Sequence, residues 1–192
     1  YPEGTAVELK AHPDQSYIVD RWEGTDDDTL WSNRNTVTIT GDTEVTVQFK
    51  QAKSLHVPAQ YKTIGEALAA ASDHGDKVVV GAGTYQTHSL DFQGKAVTVS
   101  SEHPDDPACV AATIIDCAQL GRAFIFQSGE GRDSVLEGFT IRNGSAVYNP
   151  SQPTDTGGTG APGDDAFGGA IACFGGASPT LSALGHAGLD HQ

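Results

Sequence analysis

The sequence has little positive charge, few aromatic residues and no methionine. Its 192 residues include 11 Lys and Arg against 25 Asp and Glu, which gives a net charge of −14. A surface of this sign repels nucleic-acid phosphates and anionic membranes, so we expect neither as a partner. No apolar run approaches the roughly 18 residues of a membrane-spanning helix, so we expect no membrane insertion. The lack of methionine, even at position 1, predicts a piece of a longer protein.

Cysteine is also scarce, and Cys109, Cys117 and Cys173 do not have the spacing of a metal site. In an oxidising compartment, Cys109 and Cys117 would close a short disulfide loop. Alternatively, the three cysteines are small apolar residues buried in the core. The sequence leaves both interpretations open.

Glycine and hydrophobic alternation, in contrast, are plentiful. The 23 glycines and 9 prolines predict many tight turns. Apolar and polar residues alternate through four segments, at 5–11, 16–22, 35–40 and 44–49, and alternation is typical of strands with one buried face. The last two segments flank Gly41-Asp42-Thr43, which predicts a hairpin between them.

The N-terminal segment resembles the divergent Gram-positive surface-protein repeat that is related to the internalin B repeat. This resemblance implies a small β-grasp-like module over residues 1–53, whose first strand would lie ahead of Tyr1. Such modules serve as spacers or adhesive stalks in extracellular proteins. Trp22 is either a sugar-stacking ring or, as its place in the repeat favours, a core residue, while Trp31 is the better exposed candidate. The stretches that carry the resemblance are PEGT at 2–5, AHP at 11–13, WEG at 22–24 and VTVQF at 45–49.

A short helix is predicted over residues 64–72, with Thr63 as its N-cap and Gly75 as the residue that ends it. Beyond it, short apolar runs recur about every 20 residues without intervening helices, which is typical of a solenoid. Each rung of a solenoid buries its apolar side by stacking on its neighbours. The apolar face of the helix comprises Ile64, Ala67, Leu68 and Ala71.

Residues 54–182 resemble the N-terminal end of the pectin-lyase-like superfamily. The resemblance implies that residues 54–192 form a right-handed parallel β-helix, capped at its N-terminal end by the helix. The sequence departs from the family after residue 180, where further rungs with Asn-rich turns are expected, so we expect a short coil of five or six rungs. The C-terminal coil end would be covered by the tail that runs to Gln192, by a partner subunit or by nothing, and an uncovered end would favour association into a homo-oligomer. The residues that carry the resemblance are YKTI at 61–64, AL at 67–68, DKVVV at 76–80, GTY at 83–85, VLEGFTIRNG at 135–144, GGAI at 168–171 and SPTL at 178–181.

Three carboxylates are spaced by about one coil each, at Asp91, Asp116 and Glu137. Stacked rungs would place them side by side, where carboxylates can divide general-acid and general-base roles. A uronic-acid lyase would instead need a basic residue, and Arg142 is the candidate, with Arg122, Arg132 and Lys95 as further bases. The alternative is that all of these are solvated turn residues.

The segment 145–167 is an insertion rich in Gly, Pro, Ser and Thr. Asp164 and Asp165, beside several glycines, could bind calcium together with backbone carbonyls, which makes calcium the candidate cofactor. The alternative is a mobile polar loop without a metal.

These patterns together predict a secreted or cell-surface bacterial protein that binds or cleaves polysaccharide along the flank of the coil, as a hydrolase or a lyase. Polysaccharide is therefore the expected partner. The alternative is a non-catalytic adhesive or structural module of the cell surface, since no complete catalytic motif is present.

Overall fold

The computed structural model describes residues 1–14, 16–145 and 169–186. The chain is mainly β-structure and divides into two compact units, Tyr1–Lys53 (unit 1) and Ser54–Gln192 (unit 2). Within the described ranges, no helix has the length and apolar character needed to cross a membrane.

Unit 1 consists of two antiparallel strand pairs. Strand β1 pairs with β3, and β2 pairs with β4, so the predicted hairpin between residues 35–40 and 44–49 is wrong. Alternation specifies which side of a strand is buried, but it does not specify the partner strand. The strands are β1 (Ala6–Lys10), β2 (Tyr17–Glu23), β3 (Arg34–Thr38) and β4 (Thr46–Gln51).

The core of unit 1 is small and centres on Trp22. This side chain packs with Ala11 and Val19, and its indole Nε1 donates a hydrogen bond to the carbonyl oxygen of Ser32 at 2.9 Å. Trp22 is therefore a core residue and offers no ring to a ligand, whereas Trp31 is exposed.

The acidic run 26–28 of unit 1 is held in place by hydrogen bonds. The Asp26 carboxylate accepts the backbone N–H of Thr38 at 2.8 Å, and Asp28 accepts the hydroxyl of Thr25 at 2.6 Å and its backbone N–H at 2.9 Å. These bonds lower the pKa of both carboxyl groups, mainly through the Thr38 N–H for Asp26 and the Thr25 hydroxyl for Asp28. The run is thus a structural element of the loop before β3.

Among its described residues, unit 2 has twelve short strands, and all of their pairings are parallel. They form three sheets, with strand orders β15-β12-β9-β6-β5, β16-β13-β10-β7 and β14-β11-β8. The strands are β5 (Ser54–Val57), β6 (His74–Val80), β7 (Gly83–Gln86), β8 (Leu90–Asp91), β9 (Ala96–Ser101), β10 (Thr113–Asp116), β11 (Phe124–Phe126), β12 (Val135–Glu137), β13 (Thr140–Arg142), β14 (Ile171–Cys173), β15 (Thr180–Ser182) and β16 (Gly185–His186).

Apolar side chains of successive rungs stack in register inside unit 2. In the largest sheet, Leu55 pairs with Val78, Val78 with Val99, and Val99 with Leu136. All four are buried, and within the described residues the last position of the column is Leu181, which pairs with Leu136 but is 36% exposed. Three stacked parallel sheets with such columns are consistent with the predicted parallel β-helix.

Aromatic rings from successive rungs pack together in the interior of the coil. Phe92 lies 4.8 Å from Phe126 and 6.3 Å from Phe124, and Phe124 lies 6.3 Å from Phe139, measured between ring centroids. All four side chains are fully buried. This cluster joins residues that come from separate rungs.

Helix α1 (Ile64–Ala70) begins where the sequence predicts it and has a capping box between Thr63 and Glu66. Its end differs from the prediction, because Ala71 is already extended and Gly75 lies within β6. The carbonyl oxygens of Leu68, Ala69 and Ala71 accept hydrogen bonds from Lys95 Nζ at 2.8, 3.1 and 2.9 Å. Lys95 therefore caps this helix end.

A second helix, α2 (Pro107–Ala112), lies between β9 and β10 and was not predicted. It has only six residues and none of them is buried. Such a short helix is too brief to show the apolar periodicity by which helices are recognised in a sequence. The available signal was local: Asp106 caps the helix by accepting the N–H of Ala108 at 2.9 Å, and Pro107 occupies its first turn.

The three cysteines are free thiols, so the short disulfide loop does not form. Only Cys117 is buried, while Cys173 is exposed. Burial, together with the nearby charge of Asp116, raises the pKa of Cys117 to about 11. This thiol is therefore protonated at neutral pH and is a core residue.

Candidate functional site

The three carboxylates that were expected to stack lie in three different sheets. Asp91 is in β8, Asp116 ends β10 and Glu137 ends β12. Since each full rung contributes a strand to each of the three sheets, a spacing of about one coil does not place two residues in the same column. The structure does bring Asp116 and Arg142 together, because β10 and β13 are paired at these two positions.

Asp116, the last residue of β10, is the centre of a hydrogen-bond network. Its carboxylate accepts hydrogen bonds from Asn143 Nδ2 at 2.8 Å, from the backbone N–H of Ala118 at 3.0 Å, and from Arg142 Nε at 3.0 Å. Arg142 Nη2 completes a two-pronged contact at 2.9 Å. Asn143 first, then Ala118 and Arg142, lower the pKa of Asp116 below its ordinary value of 3.8. This network joins two rungs and supports a structural role for Asp116.

We expect the stability of the protein to depend on this carboxylate below pH 4. The folded-state pKa of Asp116 lies below the unfolded value of 3.8, so its contribution is complete above that pH and is lost as the pH falls through the folded-state pKa. Urea denaturation followed by circular dichroism should show a lower midpoint for Asp116→Asn at pH 7. The difference from the wild type should shrink toward pH 2, and a constant difference would contradict the assignment.

Asp91 is also engaged within the coil. One carboxylate oxygen accepts the N–H of Gln93 at 2.7 Å, and the other accepts Gln127 Nε2 at 2.8 Å. Because β8 and β11 are adjacent strands, the bond to Gln127 links neighbouring rungs. Asp91 thus has the surroundings of a turn residue, as the alternative interpretation proposed.

Glu137 opens onto a polar groove of about 650 Å³, which we call the flank groove. Its carboxylate lies 3.7 Å from Lys77 Nζ, and both side chains are partly exposed. One wall is formed by the chain between β9 and α2, which follows Ser101 directly. The lining residues are Lys77, Glu102, His103, Pro104, Asp105, Asp106 and Glu137.

Four of these lining residues carry carboxylates, and one ammonium and one imidazole accompany them. Sequence analysis identified Glu137 but missed Glu102, His103, Asp105 and Asp106. The missed residues lie in the long connection between β9 and β10, residues 102–112, which we call the excursion. The repeat of the coil gives no indication of this connection. The segment HPDDP at 103–107, with two prolines and a helix-capping aspartate, was the signal available in the sequence.

The other basic residues that the sequence suggested have contacts elsewhere in the coil. Lys95 caps α1, and the Arg122 guanidinium lies 5.7 Å from the centre of the Phe174 ring. The carbonyl oxygen of Arg132 accepts the hydroxyl of Thr180 at 2.7 Å. None of the three lines the flank groove.

The predicted calcium ligands, Asp164 and Asp165, lie outside the described residues. Among residues 1–14, 16–145 and 169–186, no group of three or more His, Cys, Asp or Glu side chains is arranged to hold a metal ion.

Comparison with known proteins finds a family match for unit 1. Residues 1–53 match the family model of the divergent InlB B-repeat domain, as the N-terminal sequence predicted. Domains of this family occur in bacterial surface proteins. No curated protein and no solved structure matches the chain at a significant level. The β-helix interpretation of unit 2 therefore depends on its sequence pattern and its three parallel sheets.

Proposed function

We propose that the chain belongs to a bacterial surface or secreted protein in which unit 2, as a right-handed parallel β-helix, binds polysaccharide in the flank groove. The observation that carries this proposal is the groove itself. It is open and polar, and it lies along the side of the largest sheet, between Lys77 and the excursion that begins at Glu102. An extended polar polymer can lie along such a flank without entering the core.

The charge of the groove favours a neutral or amino sugar over a uronic acid. Glu102, Asp105, Asp106 and Glu137 outnumber the single cation, Lys77, which is itself within 3.7 Å of Glu137. A second carboxylate brought by a uronic acid would be repelled. If the groove is catalytic, its several carboxylates fit hydrolysis better than the elimination of a lyase, which needs a free base and a cation beside the substrate carboxylate.

Binding and turnover should be measured together on neutral, amino and uronic polysaccharides, with calcium and with a chelator. The double variant Glu137→Gln, Asp105→Asn should bind the preferred polymer about tenfold more weakly, since two hydrogen-bonded charged contacts are weakened. Asp133→Asn is the surface control, because it removes a carboxylate from an exposed residue that does not line the groove.

The products separate the possible chemistries. Reducing ends alone would indicate a hydrolase, and unsaturated uronides that vanish with chelator would indicate a calcium-dependent lyase. Binding without products would leave a polysaccharide-binding module. If no polymer bound, or if Asp133→Asn weakened binding as much as the groove variant, the flank groove would be excluded as the site.

The second candidate is a non-catalytic structural or adhesive module. It is favoured by the match of residues 1–53 to a surface-protein repeat and by the engagement of Asp91 and Asp116 in bonds between rungs. In this case the exposed Leu181, at the end of the buried column, would support the predicted homo-oligomer by pairing coil ends. Absence of binding to every polymer would favour this candidate.

A further inference from the structure

Unit 1 carries a small hollow at one end of the β2–β4 ribbon. Its volume is about 270 Å³, and it is lined by His12, Pro13, Asp14, Tyr17 and Phe49. The lining is evenly mixed in character, with two aromatic rings and a proline ring beside a carboxylate and an imidazole. We call it the ribbon hollow.

The rings of Tyr17 and Phe49 lie on the same face of the ribbon as the buried Val19, but outside the core. Phe49 pairs with Val19 and Tyr17 pairs with Gln51, so the two rings are diagonal neighbours, a separation that aromatic side chains can span. An irregularity in the pairing between Val19 and Arg21 lets both Val19 and Trp22 be buried. Tyr17 and Phe49, by contrast, are 45% and 39% exposed.

Polar groups surround these rings on the side of the loop before β2. The backbone N–H of Tyr17 donates to the carbonyl oxygen of Asp14 at 3.0 Å, which holds the turn beside the ring. Within the part of the chain that the structure describes, the side chains of His12, Asp14 and Tyr17 make no hydrogen bond. Their donors and acceptors are available to a ligand.

From this arrangement we infer that the ribbon hollow binds one ring of a neutral or amino sugar. A pyranose ring has an apolar C–H face and a rim of hydroxyl groups. The C–H face fits against Tyr17 and Phe49, while Asp14 and His12 can accept or donate hydrogen bonds at the rim. The volume of the hollow is slightly below the usual range of small-molecule sites, which suits a single sugar ring.

Charge distinguishes among sugars at this site. Residues 1–53 contain more acidic than basic side chains, and Asp14 is part of the lining. A uronic acid is therefore disfavoured, and an amino sugar gains an attraction to the Asp14 carboxylate. This site is in unit 1 and does not depend on the flank groove of unit 2.

The test is a titration of the whole chain with three short oligosaccharides, followed by NMR chemical shifts. The probes are cello-oligosaccharide, de-acetylated chito-oligosaccharide and oligogalacturonate. We expect the first two to shift the resonances of Tyr17 and Phe49, and the third to leave them unchanged. Tyr17→Ala and Phe49→Ala should each weaken binding about tenfold, because each removes one stacking ring.

Three further variants separate stacking, charge and surface effects. Tyr17→Phe should retain binding, since the ring remains, and Asp14→Asn should reduce the preference for the amino sugar. Tyr1→Ala is the control, because Tyr1 is an exposed aromatic residue of the same unit that does not line the hollow. An unchanged denaturation midpoint, followed by the fluorescence of Trp22 and Trp31, would show that each variant is folded.

Four results would overturn the inference. In the first, no probe shifts these resonances, and in the second, Tyr1→Ala weakens binding as much as Tyr17→Ala. In the third, the chain forms a concentration-dependent dimer that Phe49→Ala abolishes, because the rings would then form a protein interface. If Glu137→Gln, Asp105→Asn abolishes binding and the ring variants do not, the flank groove proposal stands and this inference fails.

Discussion

Replacing Gly138 with alanine is expected to destabilise unit 2 by about 2–4 kcal/mol, which combines backbone strain with overpacking. Gly138 follows β12 and has a φ of 80°, a conformation that L residues rarely adopt. A Cβ atom here would clash with the Ser101 hydroxyl and would lie 2.8 Å from Pro104 Cα and 2.7 Å from Pro104 Cβ. Pro104 lines the flank groove, so the same glycine sets how closely the excursion approaches the coil.

Gly129→Ala is the matched control for this prediction. Gly129 has a φ of 79°, but a Cβ atom there would meet nothing within 4 Å. It should cost only about 1 kcal/mol, the backbone part alone. Urea denaturation followed by far-ultraviolet circular dichroism would measure both variants. Equal losses would mean that the contact with Pro104 is absent in solution.

The second large effect is expected for Phe124→Ala, at about 3–5 kcal/mol. Phe124 is fully buried, lies between Leu90 and Ile171 of the neighbouring strands, and has ring contacts with Phe92 and Phe139. Since its neighbours belong to other rungs, the cavity would be shared by three layers of the coil, which limits how far it can collapse.

Phe174→Ala provides the comparison, because Phe174 is 36% exposed and lies beneath Arg122. It should lose about 1 kcal/mol at most, from partial burial and the cation–π contact. Thermal or urea denaturation would compare the two. A loss at Phe124 no larger than that at Phe174 would contradict the stacked core.

Much of the strand content of unit 2 could be predicted from the sequence, because each rung contains a short apolar run such as Val78–Val80. The start of α1 was also predictable, since the capping box between Thr63 and Glu66 is a local signal. The match of residues 1–53 confirms the resemblance based on the N-terminal motifs. Each of these features depends on residues that are close in sequence.

Long-range relations were harder to predict. In unit 1, the pairing of β1 with β3 and β2 with β4 depends on which apolar faces meet, and alternation is the same in all four strands. In unit 2, the equal spacing of Asp91, Asp116 and Glu137 gave no information about the sheet in which each lies. The flank groove was missed because the segment 102–106, which supplies most of its lining, contains no apolar pattern.

The parallel pairing of unit 2 has a consequence for how the chain tolerates changes in length. Every strand is aligned by the strand one rung away, as Leu136 is by Val99, and not by the turn that precedes it. The excursion with α2 therefore lengthens one rung without shifting the register of β9 against β12. Peptides inserted in the excursion between β9 and β10 should be displayed on the surface, while the columns of paired side chains keep their alignment. This connection is therefore a natural position for grafting an epitope or an affinity tag.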